Sequence, residues 1–298
     1  MNSLYAPNVK PDGVKTSDAS LSPALYVVPT PIGNLRDITL RALDILSGCD
    51  RIYAEDTRVT AKLLQAFGLS KPVSRYDEHT HDKSVAEIIA AVQRGERIVL
   101  VSDAGTPAIS DPGQYLVKAC RDAGADVIAL PGASAVITAL SGAGLPTDRF
   151  CFVGFLSNKT TARQNVLHDY AARPETLVLF ESASRIADLV ADIGTVMGER
   201  PVAIARELTK KFEQYLFGTP QQLLQQIADH SAMKGEMVVL ISAATDQDDI
   251  STDDIDALLK NALAQHSVRD AVEIVAKATG LKKQHVYQQA LKLNDPDS

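Results

Sequence analysis

Tryptophan is missing from this 298-residue chain, and aromatic residues make up only 5% of it. That scarcity argues against a sheet that stacks several bases on exposed rings. Cysteine is also scarce. Cys49, Cys120 and Cys151 stand far apart without CxxC pairing, which gives neither a disulfide framework nor a zinc knuckle and fits reduced, buried thiols in a cytoplasmic protein. No run approaches the ~18 continuous apolar residues of a membrane span; residues 133–145 come nearest and are interrupted by Gly142 and Gly144. Residues 1–22 lack the apolar core of a signal peptide and read as a flexible leader. Positive charge is in deficit too: 30 basic against 37 acidic residues leave a net charge of −7, which disfavours a protein that grips nucleic acid by bulk electrostatics.

The apolar share, 45%, is enough for a sizeable core, and the length suggests two domains. From Leu25 onward short β-branched runs alternate with helix-period segments, the grammar of a parallel sheet covered by helices. Strands are expected at residues 25–29, 51–54, 98–101 and 127–130, with Asp37 capping the first helix and Asp111-Pro112 opening a later one. Past Pro146 further strands follow at 150–155, 176–180, 201–206, 212–217 and 236–242. The third and fourth strands of that series follow one another directly, so this second sheet is expected to be mixed. The fold class is therefore α/β: an N-terminal domain over 23–146, a C-terminal domain over 147–243, an acidic linker over 244–256 and a basic helical unit over 257–298. Six aspartates and no base occupy the linker, whereas residues 257–294 carry six Lys or Arg against two acids. Their helix, Thr279-Gly280 turn, helix layout suggests a helix-turn-helix-like unit, as readily a packing module as an RNA contact.

Three strand exits carry unusual turns. Pro29-Thr30-Pro31-Ile32-Gly33-Asn34 is rigid and lacks the GxGxxG spacing of a dinucleotide site. Ser102-Asp103-Ala104-Gly105-Thr106-Pro107, continuing to Gly113, places a carboxylate among small residues where backbone can approach a ligand. Pro131-Gly132-Ala133-Ser134-Ala135 opens an alanine-rich helix whose terminal N–H groups can serve polar atoms. Three such mouths on one sheet edge imply one shared cleft. His79-Thr80-His81 lies among acids, but without a third ligand cluster it reads as a polar loop, and no metal is expected.

In sequence order, VVPTPIGNLRDITLRAL, AEDTR, VSDAGTPAISDPG, LPGASAVITALSGAGLPTDRF, GFL, ARELTK and KGEMVVL resemble the tetrapyrrole methylase superfamily, class III methyltransferases dependent on S-adenosylmethionine. Within it the resemblance is to the branch that methylates ribose 2′-hydroxyls of small-subunit ribosomal RNA, and it extends to the basic KKQHVYQQAL segment. It implies two α/β domains with the donor in the cleft between them, a homodimer, and a cytidine of the decoding region as target. Carried over by position, Pro31, Asp103, Thr106, Ser134 and Ala135 would line the donor site from the first domain, and Phe180, Ala205, Gly235 and Glu236 from the second. Candidate proton acceptors are Glu55 and Asp56 in AEDTR, Glu181 in FESASR, and Glu207 and Lys210 in ARELTK. Related sequences usually carry a histidine where this chain has Ser184, so no catalytic role is placed there. Arg58, Arg185, Lys211, Lys282 and Lys283 are candidate RNA contacts. A methylase of a tetrapyrrole or another small molecule, and a donor-binding regulator without activity, stay open as alternatives.

Overall fold

The computed structural model describes residues 21–76, 81–229, 235–244, 252–264, 266–279 and 283–293. The chain forms two compact units, residues 1–142 with 205–215 and residues 143–204 with 216–298.

The first unit holds β1 (Ala24–Val27), α1 (Leu40–Gly48), β2 (Arg51–Ala54), α2 (Thr57–Ala66), β3 (Val73–Arg75), α3 (His81–Gln93), β4 (Arg97–Val101), α4 (Gln114–Asp122), β5 (Val127–Ala129) and α5 (Ala135–Ala143). The strands lie in the order β3-β2-β4-β1-β5, and all neighbours run parallel. Side-chain alternation explains how both faces are buried. Ala24, Tyr26, Val99 and Val101 point into a core shared with Ala42, Ile45 and Leu46 of α1 and Leu64 of α2. Leu25, Ile98 and Leu100 join the opposite core with Ile88 and Val92 of α3 and Leu116 and Cys120 of α4. Each such aliphatic side chain contributes roughly 1.5–3 kcal/mol by leaving water, so strands apolar at every position must be covered on both sides. β3 departs from the sequence reading. It is three residues long with no fully buried member, so it carried no apolar run to recognise.

Two helix starts also differ from expectation. Asn34 caps a 3-10 turn over Leu35–Asp37, so Asp37 is consumed inside that turn and Thr39 caps α1 instead, its hydroxyl accepting from the Ala42 N–H at 3.0 Å. Nor does Asp111-Pro112 open α4. The preceding loop turns through left-handed Ala108 and Ser110 (φ 69° and 58°), and the helix begins only at Gln114 after Gly113.

β2 and β4 are clamped at their starts by Asp50, whose carboxylate accepts from the Arg97 backbone N–H at 2.7 Å and from its guanidinium at 2.8 and 2.6 Å. The Arg97 hydrogen bonds hold the Asp50 carboxyl down at about 2, against an ordinary value near 3.8. A depressed folded value adds stability above the ordinary value, and that share is lost as pH falls from about 4 toward 2. Asp50→Asn is accordingly expected to flatten the acid-side loss of stability in this window, read from urea midpoints at successive pH values. An unchanged slope would show that solvent screening cancels the pair.

In the second unit, β6 (Phe150–Phe155), α6 (Thr160–Tyr170), β7 (Thr176–Ser182), α7 (Ile186–Met197), β8 (Val202–Arg206), β9 (Gln214–Gly218), α8 (Pro220–Asp229) and β10 (Glu236–Ile241) follow one another. The sheet order is β6-β7-β10-β8-β9. β6 pairs with β7 in parallel and β10 with β7 antiparallel, so the sheet is mixed, as the helix-free step from β8 to β9 implied. Leu177, Leu179, Ile204, Met237 and Val239 pack against Leu167 of α6, Leu189 and Ile193 of α7 and Leu223 of α8.

Three more helices, α9 (Thr252–Leu263), α10 (Val268–Thr279) and α11 (Lys283–Leu293), close the described chain. Their small core unites Ile255, Leu259, Ala271, Val275, Val286 and Ala290. The acidic stretch is therefore not a linker to its end. Helix α9 begins inside it at Thr252 because Ile255 and Leu259 lie four apart and bury together. Among the described residues no helix is long and apolar enough to cross a membrane.

Candidate active site

β1 is central between β4 and β5, and the chain after each of these strands is tied to its neighbour. Thr30 and Gly105 exchange two backbone hydrogen bonds of 2.9 Å. The Thr30 hydroxyl donates to the Ser102 carbonyl at 3.0 Å, and the Thr106 hydroxyl donates to that of Ala133 at 3.0 Å. Ser134 Oγ accepts from the Ile137 N–H at 3.4 Å at the head of α5, where Ala135 is the first helical residue. The structure thus brings Pro31, Asp103, Thr106, Ser134 and Ala135 to one sheet edge, the carboxyl side where open parallel sheets receive ligands. Non-glycine residues at positive φ cost of order 1–3 kcal/mol each. Ala108 and Ser110 incur that cost in the loop bordering this edge.

The AEDTR segment turns from β2 into α2 beside it. Asp56 caps α2, accepting from the Arg58 N–H at 2.8 Å and from its guanidinium at 2.5 Å. Those Arg58 hydrogen bonds hold the Asp56 carboxyl far below the usual carboxylate range, which makes it a poor proton acceptor. Asp103 Oδ1 in turn accepts from the Asp56 N–H at 3.1 Å. Glu55 occupies the turn itself. Pro31, Gly33, Ser102 and Asp103 line one side of a cavity of about 390 Å³, and Val59, Thr60, Lys62 and Leu63 of α2 line the other. The α2 wall was not anticipated. Its signal was present as the 59, 60, 63 spacing on one helical face, but that spacing reads equally as core packing.

Residues 205–215 form a strap in the same unit. Two successive turns shape it, with Lys210 N–H donating to the Glu207 carbonyl at 3.0 Å and Glu213 N–H to that of Lys210 at 3.1 Å. Glu207 and Thr209 sit at φ 50° and 64°, and the Glu213 carboxylate holds the Thr209 N–H at 2.5 Å. Lys210 Nζ lies 2.9 Å from Glu207 Oε1. Its stem covers Gly33 so closely that a Cβ there would meet Lys210 Cγ at 2.6 Å and the Leu208 carbonyl at 3.0 Å. Lys210 is therefore seated against a residue that lines the cavity. Ala205, at the head of the strap, is fully buried.

In the second unit, Phe180 on β7 packs its ring against those of Phe152 and Phe155 at 4.9 and 5.4 Å. Glu236 pairs with Ser182 across the β7/β10 ladder, and the Gly235 carbonyl receives the Ala183 N–H at 3.0 Å. Phe180, Gly235 and Glu236 thus share one end of that ladder. Glu181 is only 1% exposed, with Oε1 accepting from the Ser182 N–H at 2.8 Å and Oε2 3.1 Å from Arg185. Arg185 also donates to the Leu156 carbonyl at 2.8 Å. Both residues brace the FESASR turn. Lys283 pairs with Glu273 at 2.9 Å on the exposed side of α10 and α11, while Lys282 and His79 lie outside the described residues. Among the described residues no His, Cys, Asp or Glu group could hold a metal ion.

The family described as Tetrapyrrole (Corrin/Porphyrin) Methylases matches residues 24–224, and the RsmI C-terminal HTH domain matches residues 249–294. A relative from Escherichia coli, Ribosomal RNA small subunit methyltransferase I, is 45% identical over 271 residues, 90% of this chain and 94% of the relative. The protein of that name from Synechocystis is 43% identical over 273 residues, covering 90% and 98%. Among solved structures, a cobalt precorrin-4 methyltransferase superposes with a TM-score of 0.54 at 17% identity, over 73% of this chain and 94% of its own. A diphthine synthase gives 0.58 at 16% identity, over 73% and 89%. These two likenesses concern the fold alone. The tetrapyrrole methylase model spans most of both sheets, and with relatives 43–45% identical over nine-tenths of its length the chain belongs to the tetrapyrrole methylases.

Proposed function

We propose that the protein is an S-adenosylmethionine-dependent methyltransferase acting on the ribose 2′-hydroxyl of a cytidine in the decoding region of small-subunit ribosomal RNA. The observation that carries this reading is the joined edge at β1, β4 and β5. Its residues fit the donor: an exposed carboxylate at Asp103 and the small residues Gly132, Ala133, Ser134 and Ala135 leading into α5, none of them fully buried. Pro31, Thr106, Ser134 and Ala135 would hold the donor with Asp103, and Phe180, Ala205, Gly235 and Glu236 are proposed as its further contacts. The cavity beside α2 is within the size range of small-molecule sites, roughly 300–1,000 Å³, and we assign it to the acceptor nucleotide. Arg58, which is 86% exposed at its side chain, and Lys62 supply cations at its α2 side for phosphate oxygens.

When bound, S-adenosylmethionine supplies an electrophilic methyl carbon on a positively charged sulfur, so no metal or second co-reactant is needed. The protein must align the acceptor oxygen with that carbon and manage one proton. Asp56 is disabled by Arg58, and Glu181 is buried in its own turn. Lys210 is half-exposed and pressed against Gly33, so its ammonium stabilises the oxygen as negative charge develops. Glu207, 2.9 Å from that ammonium, orients it and offers a destination for the proton. Residues 23–146 and 147–243 would then act as the two α/β domains of the enzyme, with 257–298 as a local RNA contact. A homodimeric state and a cytoplasmic location belong to the same proposal.

The test is transfer from labelled donor to small ribosomal subunits, or to their naked RNA, from a strain lacking the modification. Label in the ribose of one cytidine is the expected result. Label confined to a small molecule, or donor binding without transfer to either RNA substrate, would replace this reading.

A further inference from the structure

In a chain so poor in aromatics, Phe212 is 66% exposed, the most exposed large apolar side chain among the described residues. It sits on the strap two positions after Lys210, and Lys211 Nζ lies 5.4 Å from the centre of its ring. The interior gains little from a ring left in water, yet the strap that presents it is fixed by two turns and by the 2.5 Å bond from Thr209 N–H to Glu213. Left-handed Glu207 and Thr209 add backbone strain to that fixed shape. The same strap presses Lys210 onto Gly33 at the cavity wall. Ring, ammonium and cavity are thus coupled through consecutive residues of one rigid segment.

We infer that Phe212 and Lys211 form a one-base platform: an unpaired nucleobase beside the target nucleotide stacks on the Phe212 ring while Lys211 meets the adjoining phosphate. The inference rests on the RNA-methylating reading of the site and specifies how the strand next to the cavity is held. Charge complementarity favours this occupant over a second copy of the chain. The Lys211 ammonium lies against the ring, and the strap's acids are already engaged, Glu207 by Lys210 and Glu213 by the Thr209 N–H. A single ring is also compatible with the low aromatic content, which argues against a multi-base sheet platform and not against one stacking residue. Stacking has no hydrogen-bond code, so this contact would hold the strand without selecting its sequence.

The test compares wild type, Phe212→Leu, Phe212→Trp and Lys211→Gln in binding naked small-subunit RNA and, separately, S-adenosylmethionine. Phe212→Leu keeps apolar bulk and removes the π face, and the residue's exposure makes a folding defect unexpected. RNA affinity should fall roughly 5- to 100-fold, the range of one lost stacking contact, with donor affinity and salt dependence unchanged. Phe212→Trp should retain binding. Lys211→Gln should lower the salt slope by about one. Equal affinity in wild type and Phe212→Leu, or equal weakness in Phe212→Trp and Phe212→Leu, overturns the platform. So does a Phe212→Leu variant that sediments as a smaller species while binding RNA as wild type does, which would assign the ring to contact between copies. A wild type that methylates the RNA but is indifferent to these changes removes only the platform. A wild type that binds no naked RNA and also transfers no methyl group to the RNA of small subunits removes the parent reading as well.

Discussion

Asp192→Ala is expected to destabilise the second unit by about 3–5 kcal/mol, the cost of leaving a buried charge without its partner. Arg163 on α6 is 2% exposed and Asp192 on α7 is 5% exposed. Arg163 Nε donates to Asp192 Oδ2 at 2.5 Å, and Gln164 Nε2 donates to Oδ1 at 2.8 Å. Among the described residues, removing the carboxylate leaves the guanidinium one hydrogen bond, the 3.4 Å contact to the Ser157 carbonyl, on helices whose Leu167, Leu189 and Ile193 belong to the apolar core. Urea denaturation followed by circular dichroism measures the loss. Asp192→Asn, which keeps an acceptor but not the charge, should fall between alanine and wild type. The double change Arg163→Met with Asp192→Leu should recover most of the loss, because two uncharged side chains need no mutual compensation. A double variant as unstable as Asp192→Ala would assign the effect to packing volume and not to charge.

The second large effect is on catalysis. Lys210→Ala should lower single-turnover methyl transfer by roughly 10²–10³-fold, the usual consequence of removing one preorganised group that stabilises developing negative charge. Donor affinity should change little, since Lys210 is not among the proposed donor contacts and five of these, Pro31, Asp103, Thr106, Ser134 and Ala135, lie on the edge formed by β1, β4 and β5. Lys210→Arg keeps the cation but has a longer planar head, and the close seat on Gly33 leaves little freedom for it. Partial recovery is therefore expected. Glu207→Gln retains the fold of the strap and removes the negative end of the pair, so the pH profile of transfer should move even where the maximal rate is close to normal. A Lys210→Ala variant with wild-type transfer would end the proposed role.

The legible parts of this structure were those dictated by local rules. β2 appeared where expected because Ile52, Tyr53 and Ala54 form an apolar run between turn residues, and β4 because Ile98 to Val101 has no polar interruption. The converging exits at Pro31, Asp103 and Ser134 were readable as turns of small residues and proline. Their cross-links were not. The Thr30–Gly105 bridge and the Thr106 to Ala133 hydrogen bond join positions 75 and 27 residues apart, and no periodicity encodes them. The helix starts failed for a related reason. Asp37 and Asp111 are chemically good caps, but a 3-10 turn and a left-handed loop claimed them first. Most of all, ARELTK carried the resemblance and two candidate groups, Glu207 and Lys210, but nothing in it specifies the strap's shape. Positive φ at Glu207 and Thr209 is imposed by tertiary packing, and neither residue type advertises it.

The division of the chain has a consequence for its synthesis. Residues 1–142 contain every strand of the first sheet, but that unit also owns residues 205–215. At about 5–20 residues per second, the first sheet waits several seconds after leaving the ribosome before its last segment emerges. Throughout that interval it lacks Lys210, so Gly33 is uncovered. On the proposed reading the nascent chain would lack the cation assigned to transfer while still on the very machine whose RNA it is proposed to modify, and would gain Lys210 only after most of its second sheet had been made.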